Sequence, residues 1–156
     1  MIKVIDNFFP EENFNHFCEL TKSGWTTLDN SLHKDLTEPF YTEECVKYIG
    51  ERFDTKFQIY RSAMHGLSLN TKSAMHRDVN STHTALLFLN PNWQPTWNGG
   101  TFFGKDCNDY VQFRPNRMIL FLTEGLDHIG SSFSSEALDF RYQAIWHLNQ
   151  QKLRVY

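Results

Sequence analysis

From residue 56 onward, the sequence repeats short apolar runs separated by turn-forming residues, and this pattern constrains the fold more than any other feature. Residues 84–89 form a nearly continuous apolar run, which is typical of a strand covered on both faces. Residues 118–122 and 140–148 form two further runs, with prolines, glycines and asparagines between them. Many short strands of this kind favour a double-sheeted jelly roll.

The residues before this region follow a helical pattern, after a short predicted strand at Ile2–Ile5. Pro10 and the two acidic residues after it indicate the start of one helix. Thr42 is predicted to cap a second helix. The buried stripe of that helix is predicted to be Val46, Ile49 and Phe53. Residues 32–40 are predicted to be a loop, because they are polar and contain Pro39.

We therefore predict an α+β fold in a single domain, residues 1–156. A helical part at about 1–55 packs on one sheet of a double-stranded β-helix, or jelly-roll, core at about 56–149. The length of 156 residues and the 40% hydrophobic content are sufficient for one sizeable core.

Charge and cysteine content narrow the expected surroundings of the protein. The formal net charge of -3 provides no general attraction to a nucleic-acid backbone, although it allows a local basic groove. The three cysteines lie far apart and form no Cys-x-x-Cys pair, so neither a zinc knuckle nor a disulfide framework is indicated. No signal peptide and no membrane-spanning run is evident. We expect a reducing, cytoplasmic setting.

A His-x-Asp motif at His76 and Asp78 is the first candidate for chemistry. In an extended segment, side chains two residues apart share a face, so the imidazole and the carboxylate would lie side by side with Arg77 turned away. One more histidine would complete a two-histidine, one-carboxylate face on a metal, as in non-haem Fe(II) oxygenases. The motif alone is short, and only its context makes it informative.

That context lies downstream, at His128 and Arg141. A hairpin with its apex near residues 134–135 would place Arg141 opposite His128, on an adjacent strand. The neighbours of Arg141 on this strand are mostly apolar, and a buried guanidinium needs an anionic partner. A dicarboxylic co-substrate could provide one, because a guanidinium binds a carboxylate through two parallel hydrogen bonds. The alternative is an arginine whose head group reaches solvent from a strand end.

Taken together and in order, these motifs resemble those of the 2-oxoglutarate/Fe(II)-dependent dioxygenases, most closely the prolyl 4-hydroxylase-like branch. The resemblance covers about residues 56–149. It implies a jelly roll with iron at its mouth, 2-oxoglutarate as co-substrate and O2 as the third reactant. By the same resemblance, His76, Asp78 and His128 would be the iron ligands, and Arg141 would bind the distal carboxylate of 2-oxoglutarate. The intact Asp78 favours hydroxylation over halogenation.

One position departs from the family pattern. Many members have a tyrosine that hydrogen-bonds the co-substrate where this chain has Phe88, which has no hydroxyl. Gln143, Tyr60 and Thr84 are the candidates to replace it. We prefer Gln143, because it shares a strand face with Arg141.

The resemblance implies an enzyme that hydroxylates a prolyl or other side chain of a protein or peptide. Three alternatives remain: a non-catalytic metal-binding jelly roll, an oxygenase acting on a small molecule, and one acting on nucleic acid. A plain metal-binding barrel has no evident need for Arg141. The nucleic-acid alternative is disfavoured, because no second arginine follows Arg141 on its strand. No membrane partner is expected, and the oligomeric state stays open.

Overall fold

The computed structural model describes residues 1–71, 73–152 and 154–156 of the chain. It is mostly β-structure with two α-helices. The predicted first strand, β1 at Ile2–Ile5, is confirmed. Helix α1 at Glu11–Leu20 follows Pro10 directly. The acidic residues in its first turn interact favourably with the positive end of the helix dipole. Its buried face carries Phe14 and Phe17.

The loop predicted at residues 32–40 is wrong over its first part. Residues 32–35 belong to strand β3 (Ser31–Asp35), which forms a hairpin with the preceding strand β2 (Thr26–Leu28). The two turn residues, Asp29 and Asn30, both have positive φ, of 45° and 64°. Such a two-residue turn matches the twist of paired strands, and asparagine and aspartate tolerate it better than most residues.

The second helix begins later than predicted, and Thr42 does not cap it. A wide π-type turn at Phe40–Glu44 leads into helix α2 at Cys45–Arg52. The Thr42 hydroxyl lies 3.3 Å from the carbonyl oxygen of Glu38, one turn earlier. The predicted buried stripe is confirmed, since its three residues are all buried.

The remaining strands form two antiparallel sheets, an arrangement that fits a jelly-roll core. The strands after α2 are β4 Phe57–Leu67, β5 His83–Phe88, β6 Thr101–Phe103, β7 Asp109–Val111, β8 Met118–Leu122, β9 His128–Gly130 and β10 Arg141–Gln150. The seven-stranded sheet has the order β1-β8-β5-β10-β4-β3-β2, and the three-stranded sheet has the order β7-β6-β9.

Strand β10 lies at the centre of the large sheet, between β4 and β5. Trp146 and the even-numbered residues around it belong to one buried cluster that also contains residues of α1 and α2. The Trp146 ring lies 5.7 Å from that of Phe17, and its indole N–H donates to the carbonyl oxygen of Tyr41 at 3.0 Å. Because strand side chains alternate, the odd-numbered residues of β10 are left for the opposite face.

That opposite face holds a second apolar cluster, to which both sheets contribute. Leu86 and Phe88 of β5, Ile145 of β10 and Phe103 of β6 are among its buried residues. Where this cluster ends, polar side chains begin, and they line the site described below. Over the part of the chain that the structure describes, neither helix is long and apolar enough to cross a membrane.

Candidate metal centre

The structure brings His76, Asp78 and His128 together, with one potential ligand atom from each lying within 4.8 Å of the others. The nearest Asp78 oxygens lie 3.6 Å from Nε2 of His76 and 3.8 Å from Nε2 of His128. The two histidines are joined through their backbones: each N–H donates to the other's carbonyl oxygen, at 3.1 and 2.8 Å. The spacing of the two rings is therefore set by a β-bridge.

Two further contacts hold these ligands in place. Nδ1 of His76 lies 2.9 Å from the carbonyl oxygen of Ala74, so its N–H donates there and Nε2 is the ring nitrogen left for a metal. Arg77 turns away, as the strand period predicts, and its Nε donates to Asp127 at 3.1 Å. This ion pair anchors the residue next to His128.

The charge state of His128 suits a metal ligand. Burial lowers the pKa of His128 to about 4, although the nearby Asp78 carboxylate acts in the opposite direction. The imidazole is therefore neutral near pH 7, which is the form that binds metals. Two imidazole nitrogens and one carboxylate oxygen form a donor set that fits a divalent transition metal such as Fe(II).

Arg141 is buried in the wall of the same cavity, with 1% of its surface exposed. Its guanidinium donates to Gln143 Oε1 at 2.6 Å, to the Gly100 carbonyl oxygen at 3.2 Å, to Thr101 Oγ1 at 3.3 Å and to the Gly99 carbonyl oxygen. Burial lowers its pKa to about 10, so it stays protonated near pH 7. Among the residues that the structure describes, no carboxylate pairs with it.

The predicted hairpin between His128 and Arg141 is wrong. Strand β9, which begins at His128, pairs with β6 in the small sheet, whereas β10, which begins at Arg141, lies in the large sheet. The two residues therefore approach each other across the cavity from opposite sheets. The polar segment between them crosses from one sheet to the other instead of forming a tight turn.

Gln143 and Phe88 lie beside Arg141 in different roles. Gln143 accepts a hydrogen bond from the guanidinium and lines the cavity. Phe88 is fully buried, and its ring centroid lies 5.2 Å from the Arg141 Cζ atom, with the Phe113 ring at 5.9 Å. These two rings stabilise the cation through its contact with their faces, whereas its hydrogen bonds are made to the polar groups named above.

The other two candidates for co-substrate contact do not lie beside Arg141. Thr84 lines the cavity, but its hydroxyl donates to Asp78 Oδ2 at 2.6 Å, at the metal ligands. Tyr60 is 54% exposed and lies outside the cavity. The pairing of β4 with β10 shifts register at this point, so Tyr60 is the extra residue of a β-bulge. The structure does not support Tyr60 as a cofactor contact.

Two cavity residues, His65 and His147, were not predicted as site residues. His147 lies on the same face of β10 as Arg141 and Gln143, and its Nδ1 is 3.8 Å from Asp78 Oδ2. The two-residue period could have identified it. His65 lies opposite Gln143 on β4, and only the strand register shows this. Burial, with the nearby His33 and Arg61, lowers the pKa of His65 to about 4.

The cavity has a volume of about 250 Å³ and joins the metal ligands to Arg141. A second cavity, of about 230 Å³, shares Leu67, Thr71, Ser73 and Gly130 with it. Its other lining residues are Ser68, Leu69 and residues 129 and 131–133. The larger groove beside α2, of about 1030 Å³, contains none of the predicted site residues. The chemistry is therefore concentrated in the smaller cavity between the two sheets.

No protein-family model matches the sequence, and no curated protein matches it. Solved structures do share its fold. A Pseudomonas putida prolyl-4-hydroxylase is 11% identical, with a TM-score of 0.68 over 97% of this chain and 93% of that one. A prolyl hydroxylase from Trichoplax adhaerens, in complex with a peptide fragment, is 16% identical, with a TM-score of 0.64 over 95% and 83%.

HygX from Streptomyces hygroscopicus, with nickel, 2-oxoglutarate and hygromycin B bound, is 12% identical, with a TM-score of 0.68 over 93% of this chain and 81% of that one. At such low identities these likenesses establish the fold. The chain thus has the fold of the prolyl 4-hydroxylase-like 2-oxoglutarate/Fe(II) oxygenases.

Proposed function

We propose that this protein is an Fe(II)- and 2-oxoglutarate-dependent dioxygenase that hydroxylates its substrate. The observation that carries the proposal is the cavity in which a two-histidine, one-carboxylate group faces a buried arginine that has no carboxylate partner among the described residues. A buried unpaired cation is costly unless an anion completes the site. A dicarboxylic keto acid that reaches from the metal to Arg141 would complete it.

In this proposal each group has a separate task. His76, Asp78 and His128 hold the iron, which supplies the oxidising chemistry with O2 and 2-oxoglutarate when bound. Arg141 binds the distal carboxylate of 2-oxoglutarate, and Gln143 holds the guanidinium by its hydrogen bond. Leu86 and Ile145 line the same cavity as the metal ligands and Arg141, and such an apolar wall limits the access of water.

For the substrate, we propose a prolyl or other side chain of a protein or peptide. The fold shared with prolyl hydroxylases supports this choice, and the second cavity, which adjoins the one that contains the metal ligands, provides room for a side chain. A small molecule is the second candidate, because a protein of the same fold has hygromycin B bound. We take the 156-residue chain as a single oxygenase domain.

The first experiment is an anaerobic titration of the purified protein with Fe(II) and 2-oxoglutarate. A keto acid chelated to Fe(II) has a weak visible charge-transfer band. We expect this band in the wild type and expect Asp78→Ala and Arg141→Ala to lose or weaken it. Absence of the band, together with no tight Fe(II) binding, would leave the non-catalytic metal-binding module as the better description.

Once the band is established, admission of O2 should release succinate. Candidate peptides and small molecules are then compared by their stimulation of succinate release and by the gain of one oxygen atom, measured by mass spectrometry. Stimulation by peptides containing proline, and not by matched peptides with alanine in its place, would identify a prolyl substrate. Stimulation by small molecules alone would contradict the peptide proposal.

A further inference from the structure

Thr84 is a buried hydroxyl residue that donates a short hydrogen bond to one of the candidate metal ligands. It lies on β5, is 1% exposed, and its Oγ1 donates to Asp78 Oδ2 at 2.6 Å. Asp78 itself lies outside the strands, in the segment that precedes β5. A carboxylate on such a segment can rotate, so the rigid strand supplies the contact that orients it.

The two oxygens of Asp78 therefore differ in their hydrogen bonding, because Thr84 donates to Oδ2. Both oxygens border the metal ligands, since Oδ1 lies 3.6 Å from Nε2 of His76 and Oδ2 lies 3.8 Å from Nε2 of His128. Oδ2 accepts the hydrogen bond from Thr84 and has Nδ1 of His147 at 3.8 Å. A carboxylate oxygen that accepts a short hydrogen bond is a weaker metal ligand than its free neighbour. Oδ1 is thus the oxygen left for a metal.

His147 reinforces this arrangement through Thr84. Its Nδ1 lies 3.4 Å from Thr84 Oγ1. A threonine hydroxyl has one hydrogen, and Thr84 directs that hydrogen at Asp78. Any hydrogen bond between His147 and Thr84 must therefore run from the imidazole N–H to the hydroxyl oxygen. The resulting direction of donation, from His147 to Thr84 to Asp78, ends at Oδ2.

We propose that Thr84 is a positioning residue that keeps Asp78 a single-oxygen ligand and thereby keeps three metal positions free. The inference rests on the proposed function, because the number of free coordination positions on the metal matters for that reaction. In a six-coordinate site, two histidines and one carboxylate oxygen leave about three positions. A chelating keto acid would occupy two of them, and the third would then be left for O2. If Asp78 bound through both oxygens, only two positions would remain.

The test counts the water molecules on protein-bound Mn²⁺, without co-substrate, by water-proton relaxation. The variants are Thr84→Val, which removes the hydroxyl but keeps the branched shape, and Thr84→Ser, which keeps the hydroxyl. Thr123→Val is the control. Thr123 is equally buried, and its hydroxyl donates to the Ser81 carbonyl oxygen outside the metal site. Thr84→Ala provides a second hydroxyl-free variant should the valine fail to fold.

We expect about three bound waters in the wild type, in Thr84→Ser and in Thr123→Val, and about two in Thr84→Val, a loss of roughly one third of the relaxation enhancement per bound ion. Removal of the contact should also change the dissociation constant for Mn²⁺ by about tenfold or more. Three waters in a folded hydroxyl-free variant would overturn the inference, as would only two in the wild type. If the wild type binds no Mn²⁺, the proposed function fails instead.

Discussion

Replacement of Arg141 by methionine tests the proposed co-substrate site most directly. Methionine keeps a long, flexible, apolar side chain beside Phe88 and Phe113 but removes the guanidinium. Arg141 is not among the metal ligands, and it lies across the cavity from His128. We therefore expect metal affinity to survive and the affinity for 2-oxoglutarate to fall.

The size of the effect follows from the burial of the charge. A hydrogen bond to a charged group contributes about 1.5–3 kcal/mol, and truncation of one partner of a buried charge pair costs about 2–5 kcal/mol. A loss near 3 kcal/mol raises the dissociation constant for 2-oxoglutarate by about 100-fold. At a concentration 100 times the wild-type constant, the ligand stabilises the wild type by about 2.7 kcal/mol, but the variant by only about 0.4 kcal/mol.

Thermal unfolding of the Mn²⁺-loaded protein measures this difference. For a chain of this length, 1 kcal/mol corresponds to about 2–4 °C in Tm. We expect 2-oxoglutarate to raise Tm by about 5–10 °C in the wild type and by about 1 °C in Arg141→Met. The control variant is Arg117→Met, because Arg117 is also little exposed but its side chain pairs with Asp6, and neither residue lines the cavity. Its response to 2-oxoglutarate should match the wild type.

A second ligand, pyruvate, distinguishes binding of the keto-acid end of the co-substrate from binding of its distal carboxylate. Pyruvate carries the keto acid but lacks the distal carboxylate, so its binding should be the same in the wild type and in Arg141→Met. If Arg141→Met kept the full Tm response to 2-oxoglutarate, or if it weakened pyruvate and 2-oxoglutarate equally, the assignment of Arg141 to the distal carboxylate would be refuted.

Three further predictions concern the stability of the fold and the role of Tyr60, which the structure places outside the cavity. The folded-state pKa of His65 is about 4 and its usual value is 6.5, so between these values only the unfolded chain binds the proton and stability falls as pH falls. From pH 7 to pH 5 this amounts to about 2 kcal/mol, and urea unfolding should show that His65→Gln loses this part of the slope. Gly100→Ala should lower the free energy of unfolding in urea by about 2 kcal/mol or more and weaken 2-oxoglutarate binding, because the new Cβ would lie 2.1 Å from the Val111 carbonyl oxygen. Gly104→Ala is the control: its Cβ would meet open space, and its φ of +84° alone should lower the free energy of unfolding by only about 1 kcal/mol. Tyr60→Phe should leave the Tm response to 2-oxoglutarate unchanged, and a lost response would restore Tyr60 as a contact.

The sequence by itself determined the features that depend on neighbours along the chain. The two-residue period of a strand directed Arg141, Gln143 and His147 to one face of β10 and Trp146 to the other. The same rule turned Arg77 away from His76 and Asp78. The start of α1 directly after Pro10 and the acidic first turn of this helix are equally local. These features are predictable because backbone geometry alone relates residues a few positions apart.

Only the tertiary structure decided which strands meet. The sequence predicted a hairpin that joins His128 to Arg141, whereas the two strands belong to opposite sheets. It also treated Thr84 and Tyr60 alike, although a bulge leaves Tyr60 exposed while Thr84 reaches Asp78. His65 lies in the site because β4 pairs with β10 in the register that places His65 opposite Gln143. Strand pairing is set by the sum of many contacts between residues distant in sequence, and no short motif records that sum.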